Sequence, residues 1–170
     1  MEAVLDGHTC ELETYGMAEG ADLRAVNVDL HNKEGELLES YKTTGNMDID
    51  VTVGVPGKFT VYNSLTALAV CRHFNIPKDV IKQALRAVKV KGRVEPVEVS
   101  NRFTVMIDYA HNAMSLKSLL TTLADYQPKR IVSLFGCGGN RSRDRRFEMG
   151  EISSEYADLT VITSDNPRTE

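Results

Sequence analysis

The residues best equipped for chemistry lie in three short segments. Asp165-Asn166-Pro167-Arg168 sets an acceptor, an amide and a cation side by side, and Pro167 keeps Asn166 out of helical geometry. A carboxylate would meet Arg168 and an ammonium Asp165, so the spacing suits a clamp for a zwitterionic ligand; an Asx turn carrying an exposed arginine fits the same spacing. Arg141-Ser142-Arg143-Asp144-Arg145-Arg146 concentrates guanidinium groups in a net-acidic chain. Such a run is either a solvated face with Asp144 capping the next helix, or a source of bidentate forks for carboxylate or phosphate. The third segment, Asp108-Tyr109-Ala110-His111, pairs an acid with an imidazole, but no serine in a nucleophile-elbow context accompanies them.

Other patterns exclude themselves. Gly136-Cys137-Gly138-Gly139-Asn140-Arg141 has Arg141 where a dinucleotide fingerprint needs its third glycine. Gly54-Val55-Pro56-Gly57-Lys58-Phe59 is too short for a phosphate loop, and Phe59 replaces the hydroxyl that would ligate magnesium. His8 and Cys10 form a lone H-x-C pair with no second pair at zinc spacing, so no metal site is expected.

Hydrophobic period defines the elements that must hold these segments. Phe103–Ile107, Arg130–Phe135 and Leu159–Thr163 read as strands. Between them lie a helix from an Asn112 cap through Leu116, Leu119, Leu120 and Leu123, and another carrying Phe147, Met149, Ile152 and Tyr156. This βαβαβ order predicts three parallel strands whose polar end loops share one carboxyl edge, bringing together Asp108, His111, Arg141, Asp165, Asn166 and Arg168. Upstream, Arg24–Leu30 and Asp48–Val55 alternate as half-buried strands, and a turn at Asn32–Gly35 breaks the segment that runs to about Tyr41. Helical spacing follows Pro56-Gly57 and again Pro77. The pattern changes character at Lys91-Gly92, which divides the chain into 1–91 and 92–170.

The 170 residues allow one domain or two small or partial ones, and 42% hydrophobic with 26% charged residues is ordinary globular usage that supports a core. A net charge of −4 argues against a nucleic-acid partner, since general affinity for a polyanion needs a cationic face. The three cysteines are odd in number and widely spaced, as in a reducing compartment, and the apolar run near Leu65–Val70 is far short of a membrane span. The expected location is cytoplasmic, with no membrane partner.

Gly92-Arg93-Val94-Glu95-Pro96, Asp108-Tyr109-Ala110-His111, Phe135–Arg141 and Asp165-Asn166-Pro167-Arg168-Thr169-Glu170 resemble, in order and spacing, the Mur ligases. Thr14-Tyr15-Gly16 and Phe59–Ala67 resemble the late part of the same family's central domain, so the resemblance spans almost the whole chain. It implies an α/β fold: the C-terminal half of a Mur ligase central ATPase domain (1–91), then the first βαβαβ part of a Rossmann-like C-terminal domain (92–170). The implied reaction is ATP-dependent amide formation in peptidoglycan precursor synthesis. A carboxylate of a UDP-muramoyl dipeptide is activated as an acyl phosphate and attacked by the amine of an amino acid. The Asp-Asn-Pro-Arg form is the one associated with meso-diaminopimelate rather than lysine.

By that resemblance Asn63, Arg93, Asp108 and His111 serve the nucleotide, and Arg141, Asp165, Asn166 and Arg168 hold the amino acid. ATP and Mg2+ would act in the complete enzyme. The phosphate loop, the magnesium-binding carboxylate and a modified lysine would lie upstream of Met1, and further sheet strands beyond Glu170, so the isolated chain is expected to be inactive and to self-associate through exposed edges. The chain departs from the family pattern at Thr60, usually Asn; at Asn112-Ala113, usually Thr-Pro; and at Asn140-Arg141-Ser142, usually Asp-Arg-Asp. Other Mur-fold ligases (of folylpolyglutamate, cyanophycin or lysine-adding type) and a non-catalytic binding remnant stay open as alternatives.

Overall fold

The computed structural model describes residues 6–7, 9–33, 36–100 and 102–170; His8 and part of the Asn32–Gly35 turn lie outside them. The first sheet holds β1 (Tyr15–Gly16), β2 (Leu23–Lys33), β3 (Glu36–Gly45) and β4 (Ile49–Val53) in that order. β1 runs parallel to β2, and the remaining pairs are antiparallel. The β2–β3 register shifts between Val26 and Asp29, the irregularity of a β-bulge; Asn27 takes φ 54 there, a conformation its short amide side chain tolerates.

Period-two alternation buries Ile49, Val51 and Val53 on one face of β4, against α1 (Lys58–His73) and α2 (Lys78–Ala87). Val61, Leu65 and Leu68 of α1 and Ile81 of α2 complete this core. Tyr41 enters the same core because its hydroxyl meets Ser64 Oγ at 2.7 Å, and burial pushes its phenol up to about 12.

The second part comprises β5 (Glu95–Val97), β6 (Val105–Ile107), α3 (Ala113–Asp125), β7 (Val132–Phe135), α4 (Asp144–Tyr156) and β8 (Leu159–Ile162). The expected Asn112 cap is present. Asn112 Oδ1 accepts the Ser115 N–H, and Ser115 Oγ accepts the Asn112 N–H, a reciprocal box that starts α3. Leu116, Leu120 and Met149 pack with Ile131, Phe135, Ile152 and Tyr156 into a second core, and β7 pairs parallel with β8.

Two expectations are corrected. β6 does not join β7 and β8 in one parallel sheet; it pairs antiparallel with β5. The Asp108 carboxylate just past β6 helps hold that pair. It accepts the Val94 N–H at 2.9 Å, at the residue before β5. A cavity of about 430 Å³ lined by Met106, Leu120 and Leu134 then separates β6 from β7. Asp144 is not a cap either: Arg143 occupies the N-cap without a side-chain bond, and Asp144 lies in the first turn, where its charge complements the helix dipole.

The two cores meet where the N-terminus of α1 faces the C-terminus of α3. Lys58 pairs with Asp125 at 3.0 Å, and the Tyr126 hydroxyl donates to the Leu38 carbonyl at 3.4 Å. Gly57, at φ 114, fits here because an added Cβ would collide with Phe59 and press on Thr122. Beside this junction Glu39 is fully buried on the core face of β3, and neither carboxylate oxygen has a hydrogen-bond partner.

Burial raises the Glu39 pKa from 4.5 to about 7, offset in part by Lys58 and reinforced by Asp125. Between these two values the folded chain holds a proton that the unfolded chain releases. The contribution of Glu39 to stability therefore falls as pH rises across that window, and is constant on either side. The total is roughly 3 kcal/mol at about 1.4 kcal/mol per unit. Glu39→Gln is expected to abolish the slope in urea unfolding between pH 5 and pH 7; a slope that survives the substitution assigns the effect to another group.

Candidate active site

The loops after β6, β7 and β8 converge although β6 lies outside the parallel pair. They enclose a cavity of about 300 Å³ lined by Asp108, His111, Arg141, Arg145, Asp165 and Arg168, with Cys137 also in its wall. Guanidinium groups outnumber carboxylates in that set, so the site favours a ligand with more than one anionic group and at least one cationic group. Asp108 is already engaged, since its second oxygen accepts the Ala110 N–H at 2.8 Å. His111 Nδ1 lies 3.1 Å from the Tyr109 carbonyl, a contact that suits an Nδ1–H donor and leaves Nε2 open.

The two arginine-bearing loops are fastened to each other. The Gly139 N–H donates to the Asn166 carbonyl at 2.8 Å, and the Asn140 amide and Thr169 hydroxyl exchange bonds of 2.7 and 3.0 Å. Asn166 Oδ1 accepts the Arg168 N–H at 3.0 Å, which closes an Asx turn and sets Arg168 at φ 53. The Asn166 side chain thus shapes the turn and does not line the cavity.

A second cavity, of about 460 Å³, has apolar walls from Val53, Val55, Phe59 and Val88, with Asn63 and Arg93 among its polar groups. An amide able to donate and accept, set among apolar walls, suits a flat heteroaromatic base. The Arg93 guanidinium lies 5.0 Å from the centroid of the Tyr109 ring, and Tyr109 meets His111 edge to face at 5.3 Å. These contacts link the two cavities.

The structure therefore brings Asn63 and Arg93 together in one cavity, and Asp108 and His111 with Arg141, Asp165 and Arg168 in the other. Tyr109 and Arg145 lie within segments the sequence marked, but were not singled out there as site residues. Arg145 belongs to the guanidinium run 141–146, and nothing in that run distinguishes it from Arg143 or Arg146. Tyr109 carried only the signal of its place at a strand end.

Comparison with known proteins bears on both halves. The Mur ligase middle domain model matches residues 1–71, and the Mur ligase, glutamate ligase domain model matches residues 92–170. A UDP-N-acetylmuramoyl-L-alanyl-D-glutamate--2,6-diaminopimelate ligase of Alkaliphilus oremlandii is 41% identical over 94% of this chain and 32% of its own length. The ligase of the same description from Clostridium botulinum is 37% identical over 92% of this chain and 32% of its own. The chain thus spans about a third of the length of these curated relatives. Among solved structures, a ligase of that same description superposes with a TM-score of 0.65 at 24% identity, over 99% of this chain and 34% of the other. The UDP-N-acetylmuramate-alanine ligase of Thermotoga maritima gives 0.73 at 19%, over 89% and 34%. At such identities the structures attest the fold.

Close packing between the loops has a mutational consequence. A Cβ on Gly139 would lie 1.9 Å from the Pro167 carbonyl oxygen, an approach only a backbone shift could relieve. Gly139→Ala is expected to cost about 1 to 3 kcal/mol of unfolding free energy, as overpacking commonly does. Urea denaturation that gives wild-type stability would show that the two loops do not need this contact.

Proposed function

Because this chain belongs to the Mur ligase family, we propose that it forms part of an ATP-dependent amide ligase that adds an amino acid to a UDP-muramoyl dipeptide. In this reading residues 1–91 close the central ATPase domain and residues 92–170 open the amino-acid domain. The incoming amino acid is meso-diaminopimelate, in keeping with relatives that are 2,6-diaminopimelate ligases. The observation that carries the reading is the cavity that Arg141, Arg145 and Arg168 line together with Asp165.

The chemistry required of these residues is positioning and charge matching. Arg141 and Arg168 hold carboxylates of the incoming amino acid, and Asp165 takes an ammonium. The free amine then faces the dipeptide carboxylate, which ATP has converted to an acyl phosphate. Attack of that amine forms the amide and releases phosphate. Asn63 and Arg93 hold the nucleotide base on the other side of Tyr109, and Asp108 supports them by ordering the segment that carries Arg93. The magnesium that accompanies ATP takes its ligands, in this reading, from parts of the enzyme outside this chain.

The partners are small molecules: the nucleotide sugar dipeptide, the amino acid and ATP. The described residues include no helix long and apolar enough to cross a membrane, and their cysteines are unpaired. We place the reaction in the cytoplasm, where thiols stay reduced. The exposed side chains of Val132, Leu134, Leu159 and Val161 on β7 and β8 would drive self-association of the isolated chain.

Selectivity follows from charge. A lysine bound in place of diaminopimelate lacks the second carboxylate and leaves a guanidinium unpaired, at a cost of about 3 to 5 kcal/mol once desolvated. Arg168→Ala in the complete enzyme is therefore expected to lower kcat/KM for diaminopimelate at least ~100-fold. Steady-state kinetics with each amino acid provide the test, and unchanged values for this variant would falsify the assignment.

A further inference from the structure

Glu170 stands outside both cavities, yet it touches the neighbours of every arginine that lines the smaller one. Its Oε1 accepts the Asn140 N–H at 3.1 Å, and Asn140 precedes Arg141. Its Oε2 binds the Arg146 guanidinium, and Arg146 follows Arg145. Its own N–H donates to the Pro167 carbonyl at 3.0 Å, which closes the turn that carries Arg168. One residue thus ties together the backbone stretches that carry three cationic side chains, one in the loop after β7, one in the first turn of α4 and one in the turn after β8.

We propose that Glu170 is a positioning residue of the amino-acid site, setting the spacing of Arg141, Arg145 and Arg168 and with it the separation of carboxylates the site accepts. The inference rests on the ligase reading above. It assigns the discrimination between a dicarboxylic and a monocarboxylic diamine to geometry as well as to charge. Loosening the two loops would keep every guanidinium at the site while blurring the distances between them. The charge-assisted bond to Arg146 gives the clamp its stiffness, and it keeps the Glu170 carboxyl below its ordinary range.

The test is made in the complete enzyme with Glu170→Gln. The amide can still accept from Asn140 but cannot form the ion pair with Arg146. The expected result is a rise of about tenfold in KM for diaminopimelate, with kcat and the KM values for ATP and for the dipeptide within twofold. The preference for diaminopimelate over lysine should narrow by a similar factor. Arg146→Met should reproduce the effect, and the double variant should be no worse than either single one, because both remove the same contact. Unchanged KM and selectivity would overturn the proposal. So would a parallel rise in all three KM values with a lowered Tm, which marks a general structural role. A wild-type enzyme that releases no ADP with any amino acid would instead overturn the ligase reading, and this inference with it.

Discussion

The Asp108 carboxylate is the tie on which the arrangement of the second half depends. Its two oxygens take the N–H groups of Val94 and Ala110, one before β5 and one after β6. Val94 is buried and sits at φ 44, a conformation a β-branched residue adopts only when its surroundings enforce it. The bond from its N–H to a carboxylate and the burial of its side chain hold it there. With that strain held, β5 returns alongside β6, Arg93 is delivered over Tyr109, and the polar loop after β6 reaches the ends of β7 and β8.

Much of this was legible in the sequence because it depends on local period and local capping. The alternation in β4, the Asn112 box and the apolar stripes of α1 and α3 require only neighbours a few positions away, so pattern alone located them. The convergence of the three loops was also legible, and it survives even though the hydrogen bonding of β6 differs from expectation. The β5–β6 pair found instead is held in part by a side chain meeting a backbone amide fourteen positions earlier, a contact with no periodic signature. Asn166 escaped for a related reason: whether an amide faces a ligand or its own turn is settled by the geometry of the turn. Glu39 shows the limit of face assignment. Alternation places it with Tyr41 and Thr43 on the core side, but nothing in the pattern says that a carboxylate there goes without a partner.

The junction between the two cores is thinly held. An exposed pair such as Lys58–Asp125 contributes at most about 1 kcal/mol, and the Tyr126 bond to Leu38 is long. Most of the cohesion there must come from packing around Gly57 and Thr122. A buried acid beside a weak seam is costly to ionise, so the protonation of Glu39 and the integrity of the seam are coupled through the same few side chains.

Arg93 bridges the two cavities, as a wall of the larger one and as the cation over the Tyr109 ring that lines the smaller one. A single guanidinium cannot move toward a ligand in one without altering what it does in the other. Thermodynamic linkage then makes the effect reciprocal: whatever factor occupancy of the smaller cavity imposes on affinity in the larger one, the reverse occupancy imposes the same factor in return.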